Sequence, residues 1–119
     1  MTSLTHSIVP SLELTDFDAD RQLLDLPGRS LLVFTSTGCA SCRWARQELP
    51  RMPLPIQRLC WIDAGFNGGL VQRYGVFHLP SLFLVENGQF LGAVHGTLRA
   101  TDLSVALERA LAREPEELP

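Results

Sequence analysis

The run Leu31-Leu32-Val33-Phe34 constrains the fold more than any other stretch of the chain. It is apolar without alternation, so a strand built from it has two buried faces and needs a layer of structure on each side. A helical segment, Ser41 to Leu49, follows within a few residues. Pro50, Pro53 and Pro55 then end that helix and stiffen the connection. Gln57 to Ile62 reads as a second strand, and Phe66 to Tyr74 as a loop and a short helix. Leu82–Val85 and Phe90–Val94 flank Asn87-Gly88, a dipeptide that between apolar runs predicts a tight hairpin. A last helix starts near Thr101, with Leu103, Leu107, Ala110 and Leu111 on one stripe. Upstream, Ile8–Val9 reads as a short edge strand cut by Pro10. Thr15 reads as a helix cap, with Asp18 as its box partner, ahead of a helix from Asp16 to Asp25. Strand–helix alternation followed by a hairpin predicts an α/β fold, a central mixed sheet with helices on both faces.

The chain has 119 residues, enough for about one domain with a sizeable core. The domain is expected over 1–113, with 114–119 as a disordered acidic tail. Net charge is −3, which gives the protein no electrostatic reason to bind nucleic acid or anionic lipid. All ten basic residues are Arg. The absence of Lys removes Schiff-base and P-loop chemistry. No apolar run approaches the length of a bilayer span, and Met1 to Pro10 lacks the pattern of a secretory signal. The expectation is therefore a cytoplasmic protein, without nucleic-acid or membrane partners, acting as a monomer. His6 is expected in a frayed end.

Three Cys are too few for a disulfide-built scaffold. Cys39 and Cys42 enclose Ala40-Ser41, directly after Gly38, where the buried strand gives way to a helix. Two Cys three apart across a helix start can bring their sulfurs to bonding distance. The first lies where backbone N–H groups and the helix dipole favour a thiolate. Cys39 is thus the candidate nucleophile and Cys42, one turn inside, the resolving thiol. The same spacing is also half of a zinc site, which needs two further ligands. Cys60, His78 and His95 stand singly, so no metal is expected. Cys60 reads as an inert buried thiol. His95 reads as structural. His78 is either a proton partner of Cys39 or a solvent-facing loop residue. Trp44 reads as packing or groove rim, Arg43 and Arg46 as a solvated face or a thiolate-favouring pair, and Asp63 as a turn cap.

The segment Tyr74-Gly75-Val76-Phe77-His78-Leu79-Pro80-Ser81-Leu82-Phe83-Leu84-Val85-Glu86-Asn87-Gly88-Gln89-Phe90 resembles the thioredoxin family's signature following its active site. With the Cys pair in the expected order, the resemblance covers about Gly28 to Leu111. It implies a thioredoxin-like three-layer sandwich. It also implies that Pro80 is cis and lies against the Cys pair, with Gly38, Leu79, Pro80 and Gly96 forming a partner-binding groove. The implied function is protein thiol–disulfide oxidoreduction by a Cys39/Cys42 dithiol. That activity needs no cofactor beyond the pair, and draws electrons from a thioredoxin reductase or glutathione. The sequence departs from the family where Gly38 replaces a Trp and Ala40-Ser41 replace Gly-Pro. Val33 and Leu59 replace a buried Asp and Lys that assist the resolving thiol. A Ser41 backbone N–H aimed at the Cys39 sulfur would make the disulfide more oxidising, with Ala40, Ser41 and His78 as modulators. Without the Asp–Lys pair, Cys42 would attack slowly. Two other readings stay open: a binding or assembly module holding a partner in the Leu79–Pro80 groove, and a redox sensor.

Overall fold

The computed structural model describes residues 8–119. His6 lies outside them. Five strands form one sheet: β1 (Ser11–Leu14), β2 (Arg29–Thr35), β3 (Arg58–Asp63), β4 (Ser81–Glu86) and β5 (Gln89–Val94). The spatial order is β1-β3-β2-β4-β5. β3 runs parallel to both β1 and β2, whereas β4 is antiparallel to β2 and to β5. Among the described residues, α1 (Ala19–Asp25), α2 (Ala40–Glu48) and α3 (Gly68–Tyr74) connect strands, and α4 (Ala100–Leu111) follows β5. A 3₁₀ turn, Leu49–Arg51, follows α2 with Pro50 inside it.

The unbroken apolar run works as its composition requires. Leu31 and Val33 face one core with Leu59, Trp61 and Leu84, closed by Ala45 and Leu49 from α2 and by Leu103, Leu107 and Ala110 from α4. Leu32 and Phe34 face the opposite core with Cys60, Ile62, Phe83 and Val85, closed by Leu23 of α1 and by Leu70 and Tyr74 of α3. The period-2 geometry of a strand divides four consecutive apolar residues between two cores. This is the three-layer arrangement expected from the order of elements. The hairpin also forms as the dipeptide predicts. Asn87 and Gly88 both take positive φ, 52° and 79°, as a primed two-residue turn demands.

Two local readings are corrected. The edge strand is Ser11–Leu14, after Pro10 rather than before it. Pro10 has no N–H to give, but its carbonyl accepts from Leu59 N at 2.9 Å and leads the chain into the sheet. Helix α1 begins at Ala19 instead of Asp16. The Asp16 carboxylate is taken by another helix, accepting from the N–H groups of Gly69 and Leu70 at 3.2 and 2.8 Å. Asp18 meanwhile accepts from the Thr15 backbone N–H at 2.8 Å, the capping-box contact expected of it. That backbone bond, above all, holds the Asp18 carboxyl below the usual range.

The acidic tail is not a disordered appendage. Phe90 and Glu116 exchange both backbone hydrogen bonds, at 2.8 and 2.9 Å. Leu118 packs on the second core. Arg113 donates to the carbonyls of Leu91 and Ala93 at 3.0 and 2.5 Å. A side chain at Gly92 would meet that guanidinium at 2.7 Å. β5 is the sheet's edge, and its outward polar groups need partners that composition alone does not reveal.

Phe34 is fully buried, with ring centroids 5.5 Å from Tyr74 and 5.6 Å from Phe83. Truncation removes the centre of this cluster and leaves a cavity. Phe34→Ala is expected to cost about 3–5 kcal/mol in a urea titration. A loss under about 1 kcal/mol would show that the ring does not brace the second core.

Candidate functional site

Parallel strands place the chain's functional turns at their C-terminal ends, and β2 is the most buried strand of the sheet. After Thr35 the chain turns through Ser36-Thr37-Gly38 and enters α2, with Cys39 as its N-cap in extended conformation. The Cys39 sulfur does what a capping oxygen normally does. It accepts the otherwise unpaired backbone N–H of Cys42 at 3.1 Å. Cys39 and Cys42 form a disulfide, with Cα atoms 5.1 Å apart.

The two sulfurs differ in access. Cys39 is half-buried, whereas Cys42 is 1% exposed. The expected assignment of an outer and a sheltered thiol therefore matches the burial. The Ser41 hydroxyl lies 3.3 Å from the Cys39 sulfur. The backbone donor at that sulfur comes from Cys42 and the side-chain contact from Ser41 Oγ, which corrects the expectation of a Ser41 N–H bond. Ala40 is exposed at the first helical position, and Gly38 has open space where a side chain would stand.

From the far side, the loop between α3 and β4 reaches the pair. The Leu79–Pro80 peptide is cis, and the Leu79 carbonyl oxygen lies 3.9 Å from the Cys39 sulfur. Pro80 borders a groove of about 460 Å³ that continues past His95, Gly96 and Thr97. Gly38, Leu79, Pro80 and Gly96 thus lie on the turns at one end of the sheet, separated by up to 58 residues in sequence but assembled by the antiparallel β4–β5 pair.

The flanking residues sort less simply. His78 is exposed, its ring Nδ1 is 3.5 Å from Ser81 Oγ, and no hydrogen bond joins it to Cys39. His95, read as structural, is exposed on the groove instead. Arg46 turns away from the Cys pair to Glu13 at 2.6 Å and lies 4.6 Å over the Trp61 ring. Arg43 donates to the Thr37 carbonyl at 2.9 Å. Trp44 is half out of the fold, at 46% exposure. Asp63 caps its turn as expected, accepting from Gly65 N at 2.8 Å. Phe77, 93% exposed beside the groove, carried no signal in the sequence, because an apolar residue near a strand reads as core.

The core that α2 covers is apolar. Val33 and Leu59 are both fully buried, and Trp61 pairs with Val33 across the sheet. Cys60 faces the opposite core, where burial pushes its thiol up to about 11. Among the described residues no group of three His, Cys, Asp or Glu side chains could hold a metal ion, and no helix is long and apolar enough to cross a membrane.

The fold is thioredoxin-like, with the Cys39–Cys42 pair at the start of α2. No protein-family model matches the chain. It is 24% identical over 102 residues to Thioredoxin 1 of Nostoc sp., covering 83% of this chain and 95% of that one. The thioredoxin-like domain of Arabidopsis NCP (Nuclear Control of PEP Activity) superposes with a TM-score of 0.76 at 18% identity, over 96% of this chain and 93% of the other. The Malassezia sympodialis thioredoxin Mala s 13 gives 0.65 at 19% identity, covering 90% and 98%. Zinc-bound human ERp44 gives 0.66 at 17%, covering 83% of this chain but only 30% of its own.

These burial differences predict an order of reactivity. After reduction, a brief pulse of iodoacetamide on the native protein is expected to label Cys39 at least about tenfold faster than Cys42 or Cys60. Peptide mass spectrometry reads the sites. Labelling of Cys60 at a comparable rate would contradict its burial.

Proposed function

We propose that the protein exchanges disulfides with protein thiols through Cys39 and Cys42. The observation supporting this most directly is the asymmetric pair: a reachable sulfur at a helix N-cap, 3.9 Å from the Leu79 carbonyl, bonded to a buried one. In the reductive direction the Cys39 thiolate attacks one sulfur of a partner disulfide, and the partner's other sulfur leaves as a thiolate. A mixed disulfide forms. Cys42, as thiolate, then attacks the Cys39 sulfur. The bond to the partner breaks, the second partner thiolate leaves, and Cys39–Cys42 closes. Two electrons pass to the partner, and a reductase or glutathione returns the pair to the dithiol. The reverse sequence oxidises a partner dithiol.

The thiolate of Cys39 is favoured by the Cys42 N–H, by the start of α2 and by the Ser41 hydroxyl. An extended segment of the partner would lie along Leu79 and Pro80, where main-chain bonding adds a short strand. Gly38 and Gly96 leave room for that approach. We assign the protein to the cytoplasm, as a monomer acting on protein partners, with no cofactor beyond the Cys pair.

A second reading is favoured by one observation. No titratable group stands at Val33 or Leu59 to take a proton from Cys42. A slow resolving step lengthens the life of each mixed disulfide, which suits a module that holds its partner more than one that turns over.

In graded glutathione buffers, a reversible two-thiol transition is expected, absent from both Cys39→Ser and Cys42→Ser. Free thiols are counted by alkylation shift. No transition, with Cys39 reacting as an ordinary thiol, would leave the holding module as the better account. The Ser41 contact makes a separate prediction. Ser41→Ala is expected to slow alkylation of reduced Cys39 at neutral pH and to make the pair more reducing in the same glutathione buffers. An unchanged rate and midpoint would show that the hydroxyl does not stabilise the thiolate.

A further inference from the structure

Two arginines of α2 follow the redox pair in sequence, and the fold uses them in opposite ways. Arg46 is bound to the Glu13 carboxylate at 2.6 Å and lies over Trp61, so its charge is matched in an ion pair. Arg43 follows Cys42 directly and pairs with no carboxylate among the described residues. Its guanidinium donates instead to the neutral carbonyl of Thr37 at 2.9 Å, two residues ahead of Cys39. Side chains of a helix lean toward its N-terminus, and residues four apart lie on one face. Arg43 stands four residues after the cap residue Cys39, to whose carbonyl its backbone N–H donates at 3.1 Å. Its side chain thus runs back from the first turns of α2 to the turn before the helix.

That turn has little else to hold it. Gly38 has open space where a side chain would stand, and Cys39 N reaches the Ser36 carbonyl at 3.4 Å. No Asp or Glu stands in the first turn of α2. Asp63, paired with Thr35 at the end of β3, has its carboxylate on Gly65 N at 2.8 Å. A cation at a helix N-terminus opposes the helix dipole and costs stability unless an anion stands there. The anion this site can supply is the Cys39 thiolate, formed when the disulfide is reduced.

We propose that Arg43 is a positioning residue for disulfide exchange: tethered to the Thr37 carbonyl, it holds an unpaired positive charge at the start of α2, and that charge favours the reduced pair. The proposal rests on the redox reading of Cys39 and Cys42. Reduction by glutathione shows where the charge acts. Two glutathione thiols give up two electrons and form their own disulfide, and the Cys39–Cys42 bond breaks. Of the two glutathione protons one goes to Cys42 and the other to water, and Cys39 remains as the thiolate. A fixed cation lowers the energy of that anion and does nothing for the neutral disulfide. The pair is thereby more oxidising, and reduced Cys39 reacts faster with an electrophile. Arg46, its charge already matched by Glu13, has no such effect.

The test compares the wild type with Arg43→Gln, Arg43→Lys and Arg46→Gln at neutral pH and low ionic strength. Arg43 and Arg46 are exposed, and circular dichroism checks that each variant folds. Arg43→Gln is expected to slow iodoacetamide alkylation of reduced Cys39 about threefold, and to raise about threefold the ratio of squared glutathione to glutathione disulfide at half-reduction. Both differences are expected to shrink at about 0.5 M salt, which screens a surface charge but leaves a purely structural defect in place. Arg43→Lys keeps the charge and a donor, and is expected to retain the wild-type rate and midpoint, as is Arg46→Gln. The proposal is overturned by an unchanged rate and midpoint in Arg43→Gln, by a loss in Arg43→Lys equal to that in Arg43→Gln, or by an equal shift in Arg46→Gln. A wild type without the two-thiol transition would remove the redox reading and this proposal with it. A transition that Arg43→Gln leaves unmoved would remove this proposal alone.

Discussion

The structure depends on the junction where β2 becomes α2. β2 is buried on both faces and cannot move without disturbing two cores. Its end therefore sets the position of Cys39. The next helix begins there because a sulfur accepts the Cys42 N–H, one of the donors that every helix start leaves unpaired. One contact thus caps the helix, brings the two sulfurs within bonding reach and places partial positive charge at the outer one. A Ser or Asp at this position would cap as well but would carry no redox chemistry.

Around that junction the fold separates support from access. α2 and α4 cover one face of the sheet, and α1 and α3 the other. The loop carrying Leu79 and Pro80 is held between Gly75, which ends α3 at φ 64°, and the first pairs of β4 with β2 and β5. The groove is consequently a consequence of how two strands enter the sheet. Val33 and Leu59 are fully buried in the core that α2 covers, so no charge has to be buried and compensated there.

The far edge of the sheet shows how a short tail serves the fold. β5 offers unpaired carbonyls, and an unprotected edge is a template for another chain. Arg113 and Glu116 occupy it, with Gly92 leaving room for the guanidinium. The tail's charges made it look like solvated disorder. Its backbone and Leu118 determine where it lies.

Much was determined by sequence alone, because the signals were local. The unbroken run Leu31–Phe34 required two buried faces, Asn87-Gly88 required a primed turn, and two Cys three apart at a helix start could reach each other to bond. The signature from Tyr74 to Phe90 added the groove by resemblance. Tertiary structure decided whatever depended on residues distant in the chain. Asp16 looked like the start of its own helix and instead caps α3, because a carboxylate takes the nearest unpaired N–H groups in space. Arg46 looked available to the Cys pair and instead lies on Trp61 and Glu13. His95 reached the groove because β5 returns its end to the level of Pro80. Periodicity and turn chemistry act between neighbours in sequence. Hydrogen bonds and charges act between neighbours in space, and only the folded chain brings those together.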